Sequence, residues 1–338
     1  MNAPQSTDQS DRRSGLLAVK LKALVREHLG TDLPADPIAN RPTFGRGAAI
    51  VTGETAWVLL DEQSNSGLGG ALAWAVKQPD VNRLGVIADR DSGVLARRAA
   101  LFEMPITVWA PLDRKLFADV GSERAPQVEL PLAHAGFLPM IQASGAEPLV
   151  EYGVLTGEVR GLEVCRVVDD SNTGETRLEV GVGAHDRDAY LTMHANRSLE
   201  ESLAHVVAAV SAQRQVGAPL HPLNRFGAER FLRWQVIQDP SKVGATMLAA
   251  VSPPTRRINV KDPVPCVALG TSTSGEAMVV VCSTGVDLDL VPTAVDAQAM
   301  HAPDSRLILV LPNRDILPVT RQLAAQVKHG NCDIIAWG

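Results

Sequence analysis

The sequence predicts an α/β protein in which two related three-layer units, each ordered β-β-α-β-α-β, flank an α+β insert. A repeat is the first reason. Arg83-Leu-Gly-Val-Ile-Ala-Asp-Arg90-Asp91 matches Arg306-Leu-Ile-Leu-Val-Leu-Pro-Asn-Arg314-Asp315 once one residue is inserted. A further arginine follows seven residues later in each copy, Arg97 and Arg321, and each copy closes on an apolar run ending in tryptophan, Ile106 to Trp109 and Ile334 to Trp337. The second reason lies upstream. Ala48 to Thr52 and Ala56 to Asp61 read as strands joined by a tight Gly53-Glu54 turn, and Cys266 to Leu269 with Ala277 to Cys282 read alike across a longer Ser/Thr/Gly turn. Helices supply the third. Ser66-Gly67 and Thr284-Gly285 each lead into a helical pattern, with Leu68, Leu72 and Val76 on one stripe in the first copy and Val291, Val295 and Ala299 in the second. Pro292 falls in the first turn of the second helix, where the missing N–H is tolerated.

Taken in chain order, residues 1–14 are polar and are expected to be a disordered tail. Residues 15–110 form the first unit, led by a helix over about 16–28 that turns Leu17, Leu21 and Leu24 inward. Residues 111–263 form the insert, and residues 264–338 the second unit. Within the insert, 161–169 and 176–183 read as a hairpin around Ser171-Asn172-Thr173-Gly174. Ser198 and Glu201 have capping-box spacing, so a helix starts there, with Leu199, Leu203, Val206 and Val210 on its inner stripe. A further helix is expected from about Asn224 to Gln238, stopping at Asp239-Pro240. Pro253-Pro254-Thr255-Arg256-Arg257 reads as an extended linker into the second unit.

Composition narrows the class. At 338 residues, 45% hydrophobic and 21% charged, the chain has enough apolar surface to fold without disulfides or metals. The longest aliphatic stretches are strand-sized, so no membrane span is expected, and the first residues lack the apolar core of a signal peptide. Cys165, Cys266, Cys282 and Cys332 lie far apart without zinc-ligand spacing. They read as reduced thiols of a cytoplasmic protein, and no metal or cofactor is expected.

Leu84 to Asp89, through Ala96-Arg97-Arg98-Ala99, to Ile106-Thr-Val-Trp109 resembles the closing half of the restriction-endonuclease-like PD-(D/E)XK core. That resemblance implies a nuclease fold. Its chemistry needs an acidic residue and a Glu-x-Lys on the next strand, to hold magnesium and support the attacking water. The first copy instead has Asp61-Glu62-Gln-Ser and the second Cys282-Ser-Thr-Gly. The repeats therefore read as degenerate, with no metal expected at Asp61/Glu62 or at Asp287/Asp289. The whole chain also resembles a conserved actinobacterial protein family, a likeness that implies no particular activity.

Four groups of residues are candidates for a site. Ser64 to Gly70 is glycine-rich ahead of a helix, the position from which backbone N–H groups hold phosphate, but it lacks a Walker lysine, so helix capping is the favoured role. The Arg90-Asp91 and Arg314-Asp315 pairs sit at strand ends, and the expected role of each aspartate is to cap the following helix. Glu179, His185 and Asp186 are the catalytic candidates, since a histidine and carboxylates near a strand can serve as a metal or general-base site. Solvated strand faces and a cap account for them equally. Arg214 to Lys261 holds eight basic and two acidic residues in a chain of net charge −6. Arg225, Arg230, Arg233, Arg256 and Arg257 are accordingly the anion-binding candidates, for nucleic acid or an acidic protein. Arg225, Glu229, Arg230 and Arg233 share one helical arc, expected to be a wet face. The function expected is a non-catalytic binding or interaction scaffold; the alternative is a metal-dependent hydrolase or nuclease using Glu179, His185 and Asp186.

Overall fold

The computed structural model describes residues 5–31, 47–61, 67–124, 126, 128–171, 173–183, 187, 197–217, 222–256, 264–328 and 332–338. The chain forms two compact units, one from Met1–Arg124, Val286–Asp296 and Ile316–Asp333, the other from Ala125–Gly285, Ala297–Asp315 and Ile334–Gly338.

In the first unit, strands β1 (Gly47–Thr52), β2 (Thr55–Leu60), β3 (Arg83–Ile87), β4 (Ile106–Leu112) and β5 (Lys115–Ala118) form one sheet in that order. β1 and β2 are an antiparallel hairpin through Gly53, whose φ of 56° suits glycine. β2–β3 and β3–β4 are parallel, joined through helices α2 (Leu68–Ala75) and α3 (Ser92–Ala99). The β2 run Ala56 to Leu60 is apolar at every position because both faces are covered. Helix α1 (Gln5–Leu29) sets Leu21, Leu24 and Val25 against Ile50, Trp57, Leu59 and Ile87. It begins at Gln5, so the tail expected over residues 1–14 is helical from there; a nucleated helix propagates through polar residues at little cost.

The other unit holds two sheets. Strands β6 (Glu147–Glu151), β7 (Val154–Val159), β8 (Leu162–Asp169) and β9 (Thr176–Val180) form an antiparallel meander. Helices α4 (Leu132–Ala135), α5 (Leu138–Ala143) and α6 (Leu199–Gln213) precede and follow it. Leu155, Val159, Cys165, Val167, Leu178 and Val180 form a core with Ile141 and with Leu203, Val207 and Val210 of α6. α6 starts at the expected capping box: Glu201 N–H donates to Ser198 Oγ, and Ser198 N–H to Glu201 Oε2. The remaining sheet runs β10 (Ala245–Val251), β11 (Cys266–Ser272), β12 (Ala277–Cys282), β13 (Arg306–Pro312) and β14 (Cys332–Trp337). The helix expected over 224–238 is broken into α7 (Pro222–Arg225) and α8 (Ala228–Gln238) at Gly227, which lies in the left-handed region with φ of 57°.

The two copies have the expected order. With helices α9 (Leu290–His301) and α10 (Pro318–Ala324), the second reads β11-β12-α9-β13-α10-β14 against β1-β2-α2-β3-α3-β4. The boundaries differ from those expected. β5 and β10 fall inside residues 111–263, yet β5 pairs with β4 and β10 with β11, so each completes a sheet. Of the second copy's helices, α10 and the part of α9 up to Asp296 belong to the first unit. There α10 packs on α2, and the turns after α3 and α10 pair antiparallel at Phe102 and Val327. No helix among the described residues is long and apolar enough to cross a membrane.

Candidate functional site

One face of the meander carries the core, and the other carries charge. Glu147 of β6 lies opposite Glu158 of β7, which puts Glu151 on the same face, and Arg166 of β8 lies opposite Thr156 and Glu179. Against this face α8 presents Arg230 and Arg233, which are 5% and 2% exposed. Arg230 donates to both Glu151 and Glu158. Arg233 donates to Glu151 at 3.2 Å and has Glu158 at 3.7 Å. Glu163 accepts from Arg166 at 2.7 and 2.9 Å and from Arg187 at 2.9 Å. Burial opposes the charged form of Glu163, but its bonds and charge interactions with Arg166 and Arg187 outweigh it and hold the carboxyl below its ordinary range. Burial likewise works against Arg230, and the charges of Glu158 and Glu151 overcome it, raising its pKa.

This overturns the wet basic face. Arg230 and Arg233 are structural partners of internal carboxylates, because the polar stripe of α8 meets a sheet face that also carries charge. Glu229 is buried as well, accepting a hydrogen bond from Thr284 Oγ1 at 2.8 Å. Arg214, fully buried, donates to the carbonyls of Arg160, Leu223, Phe226 and Gly227 at 2.8–2.9 Å. Lacking a carboxylate bond, it is pulled down to about 10 by burial. Arg256 is exposed, while Arg257 and the Arg225 side chain lie outside the described residues.

Of the catalytic candidates, His185 and Asp186 lie outside the described residues. Glu179 accepts from Arg177 at 2.9 Å and has Arg187 Nε at 3.4 Å. Two guanidinium groups on one carboxylate compete with any cation there. Burial pushes the Cys165 and Cys332 thiols up to about 12 and Cys282 higher still, which makes them poor nucleophiles. Among the described residues no three His, Cys, Asp or Glu side chains converge as metal ligands.

At Gly67 and Gly69 the glycine-rich turn does hold an acidic group, and that group comes from within the chain. Asp289 accepts from the N–H groups of Gly67 and Gly69, the latter at 2.9 Å, and so caps α2. A Cβ on Gly69 would stand 1.8 Å from the Leu288 carbonyl oxygen, so only glycine permits this approach. Burial raises the Asp289 pKa although the amides of Gly69 and Gly67 oppose it. Asp61 pairs with Arg13 at 2.8 Å. Asp91 occupies the N-cap position of α3 without a side-chain cap bond, and Asp315 accepts from Gly285 N–H at 2.8 Å instead of capping a helix. Among the described residues, the most heavily paired carboxylate has no signature in the sequence: fully buried Asp296 accepts from Arg97, Arg98 and Arg124 at 2.9–3.3 Å. No local pattern announces it, since its partners lie at least 172 positions away.

Clefts lie elsewhere among the described residues. In the first unit, a space of about 1060 Å³ between α1 and the ends of β3 and β4 is lined by as many acidic as basic residues, with Lys20 bonded to Asp89 at 2.8 Å. In the other unit, a groove of about 680 Å³ lies where Thr284, Pro312 and Trp337 mark the carboxyl ends of β12, β13 and β14. Open α/β sheets bind ligands at that edge. Phe231 and Leu232 of α8 and Trp337 give it apolar walls, with Gln235, Thr284 and Lys242 among the polar groups. Phe231 stacks on Trp234 at 5.9 Å and 5°, and Lys242 Nζ lies 4.8 Å from the Trp337 ring centre and 3.2 Å from Asp239. Comparison with protein-family models, curated proteins and solved structures finds no match.

Proposed function

We propose that this chain is a non-catalytic binding protein whose ligand is a small molecule with a planar apolar body and one acidic group, held in the groove at the carboxyl edge of β12, β13 and β14. The groove carries this reading. Its 680 Å³ is the size of small-ligand pockets, and its walls combine aromatic surface with a few directional polar groups. Trp337 offers an aromatic ring for a flat body, and Lys242, whose ammonium now lies over that ring beside Asp239, would swing aside to admit it and supply the cation for an acidic group. Pairing elsewhere supports a role without catalysis. Glu151, Glu158, Glu163, Glu179 and Asp296, the carboxylates from which an acid–base or metal site would be assembled, are each held by arginine. A hydrolase or nuclease built on Glu179 would have to displace Arg177 and Arg187 first.

Anilinonaphthalene sulfonate, an aromatic anion, is the probe. Its fluorescence should rise saturably with the folded protein, and Trp337→Ala should weaken binding about tenfold, since stacking on one aromatic contributes about 1–3 kcal/mol. Lys242→Gln should weaken it less and make it insensitive to salt. Undiminished binding in Trp337→Ala, with an unchanged unfolding temperature, would place the probe elsewhere and remove the proposal.

A further inference from the structure

The charged face of the meander borders a further, smaller space with chemistry of its own. Thr156 of β7 and Arg166 of β8, register partners, line it together with Glu151, Glu163, Arg230 of α8 and Arg256 from the segment after β10. It shares no lining residue with the groove. Its volume is about 30 Å³. A water needs about 10–15 Å³ on this measure, so the space admits a group of two or three heavy atoms.

Charge in the lining is unbalanced. Three arginines face two glutamates, and both glutamates are already held, Glu151 by Arg230 and Arg233 and Glu163 by Arg166 and Arg187. With the residues bonded to them counted, Arg166, Arg187, Arg230, Arg233 and Arg256 face Glu151, Glu158, Glu163 and Glu179, so one positive charge, that of Arg256, is left over. Buried Arg230 Nε has no acceptor among the described residues, although its two terminal nitrogens are bonded to Glu158 and Glu151. Arg256, exposed, forms no ion pair among the described residues. A buried N–H without an acceptor next to an uncompensated charge is the complement of a small anion.

We propose that this cavity receives the carboxylate group of a small acid, with Arg230 Nε as the inner donor and Arg256 as the cation at its mouth. A planar carboxylate fits the space and neutralises the single excess charge. Phosphate, with five heavy atoms and up to two charges, is too large and overcompensates. The site stands apart from the groove, and either can fail without the other.

The test is thermal unfolding of the full chain in a zwitterionic buffer, titrated with sodium formate, sodium chloride or sodium phosphate at matched ionic strength. Formate should raise the unfolding temperature saturably, and phosphate should not. Arg256→Gln, at an exposed position, should leave the anion-free unfolding temperature unchanged and weaken the apparent formate affinity about tenfold, the effect of one lost charge-assisted contact. Equal shifts with formate and phosphate, no shift with formate, or an unchanged response in Arg256→Gln would overturn the site. Chloride matching formate would overturn the carboxylate assignment.

Discussion

Arg233 is the residue on which the charged face turns. Removing it would leave half-buried Glu151 and buried Glu158 to share Arg230. Breaking a buried ion pair from one side costs about 3–5 kcal/mol, so Arg233→Ala should unfold at markedly lower denaturant, while Arg256→Ala stays within about 0.5 kcal/mol of the parent. Urea unfolding of the two variants checks this; a neutral Arg233→Ala would return α8 to a solvated role. The sequence identified these arginines as an unusual cluster with an acidic partner, and what it did not reveal was that the partner lies within the chain. Glu147, Glu151 and Glu158 look in one dimension like the wet side of a strand, and so do Arg230 and Arg233 on a helix. Asp296 gives a second residue-scale expectation. Burial disfavours its charge, but hydrogen bonds from Arg97 and the charges of Arg98, Arg97 and Arg124 prevail, so its carboxyl lies below the ordinary value. The stability it contributes is therefore fully present above the unfolded carboxyl pKa and is lost as pH falls through the lower, folded one. Asp296→Asn should be less stable at neutral pH and lose less on acidification. Unfolding free energies followed from pH 7 downwards measure this, with parallel curves for parent and variant as the contrary result.

Elements were more legible than sites. Continuous apolar runs such as Ala277 to Cys282 and Leu307 to Leu311 are too short for a buried helix and suit strands covered on both faces, and Ser198 with Glu201 marked a helix start to the residue. β6 and β10 were missed because each mixes exposed and buried positions without a clean alternation. The cap of α2 shows a different gap. Gly67 and Gly69 read as helix entry, but their acceptor, Asp289, lies 220 or more positions away. Gly69→Ala should destabilise by about 1–3 kcal/mol or more through the clash with the Leu288 carbonyl, whereas Gly174→Ala, where the Cβ meets nothing, should cost only the strain of its positive φ. Thermal unfolding of both variants tests it, and similar losses would mean the close approach at Gly69 is not maintained in solution.

At the scale of the molecule, the duplication is visible in the sequence and its interleaving is not. Residues 286–296 and 316–333 belong to the second copy by pattern and to the first unit by packing, and a periodicity argument has no access to which sheet a helix covers. The groove was hidden for the same reason: Phe231, Lys242, Thr284 and Trp337 come from four separate segments, and none has a motif of its own. The groove is also where the functional reading can be tested most directly. Each of the five tryptophans, at 57, 74, 109, 234 and 337, gives one indole N–H signal in a nitrogen–proton correlation spectrum. Titration with anilinonaphthalene sulfonate should shift the Trp337 signal first and most, followed by Trp234 through its stacking on Phe231, and leave Trp57, Trp74 and Trp109 in place. Movement of Trp57 and Trp109 with Trp337 still would contradict a ligand site at the carboxyl edge of β12, β13 and β14.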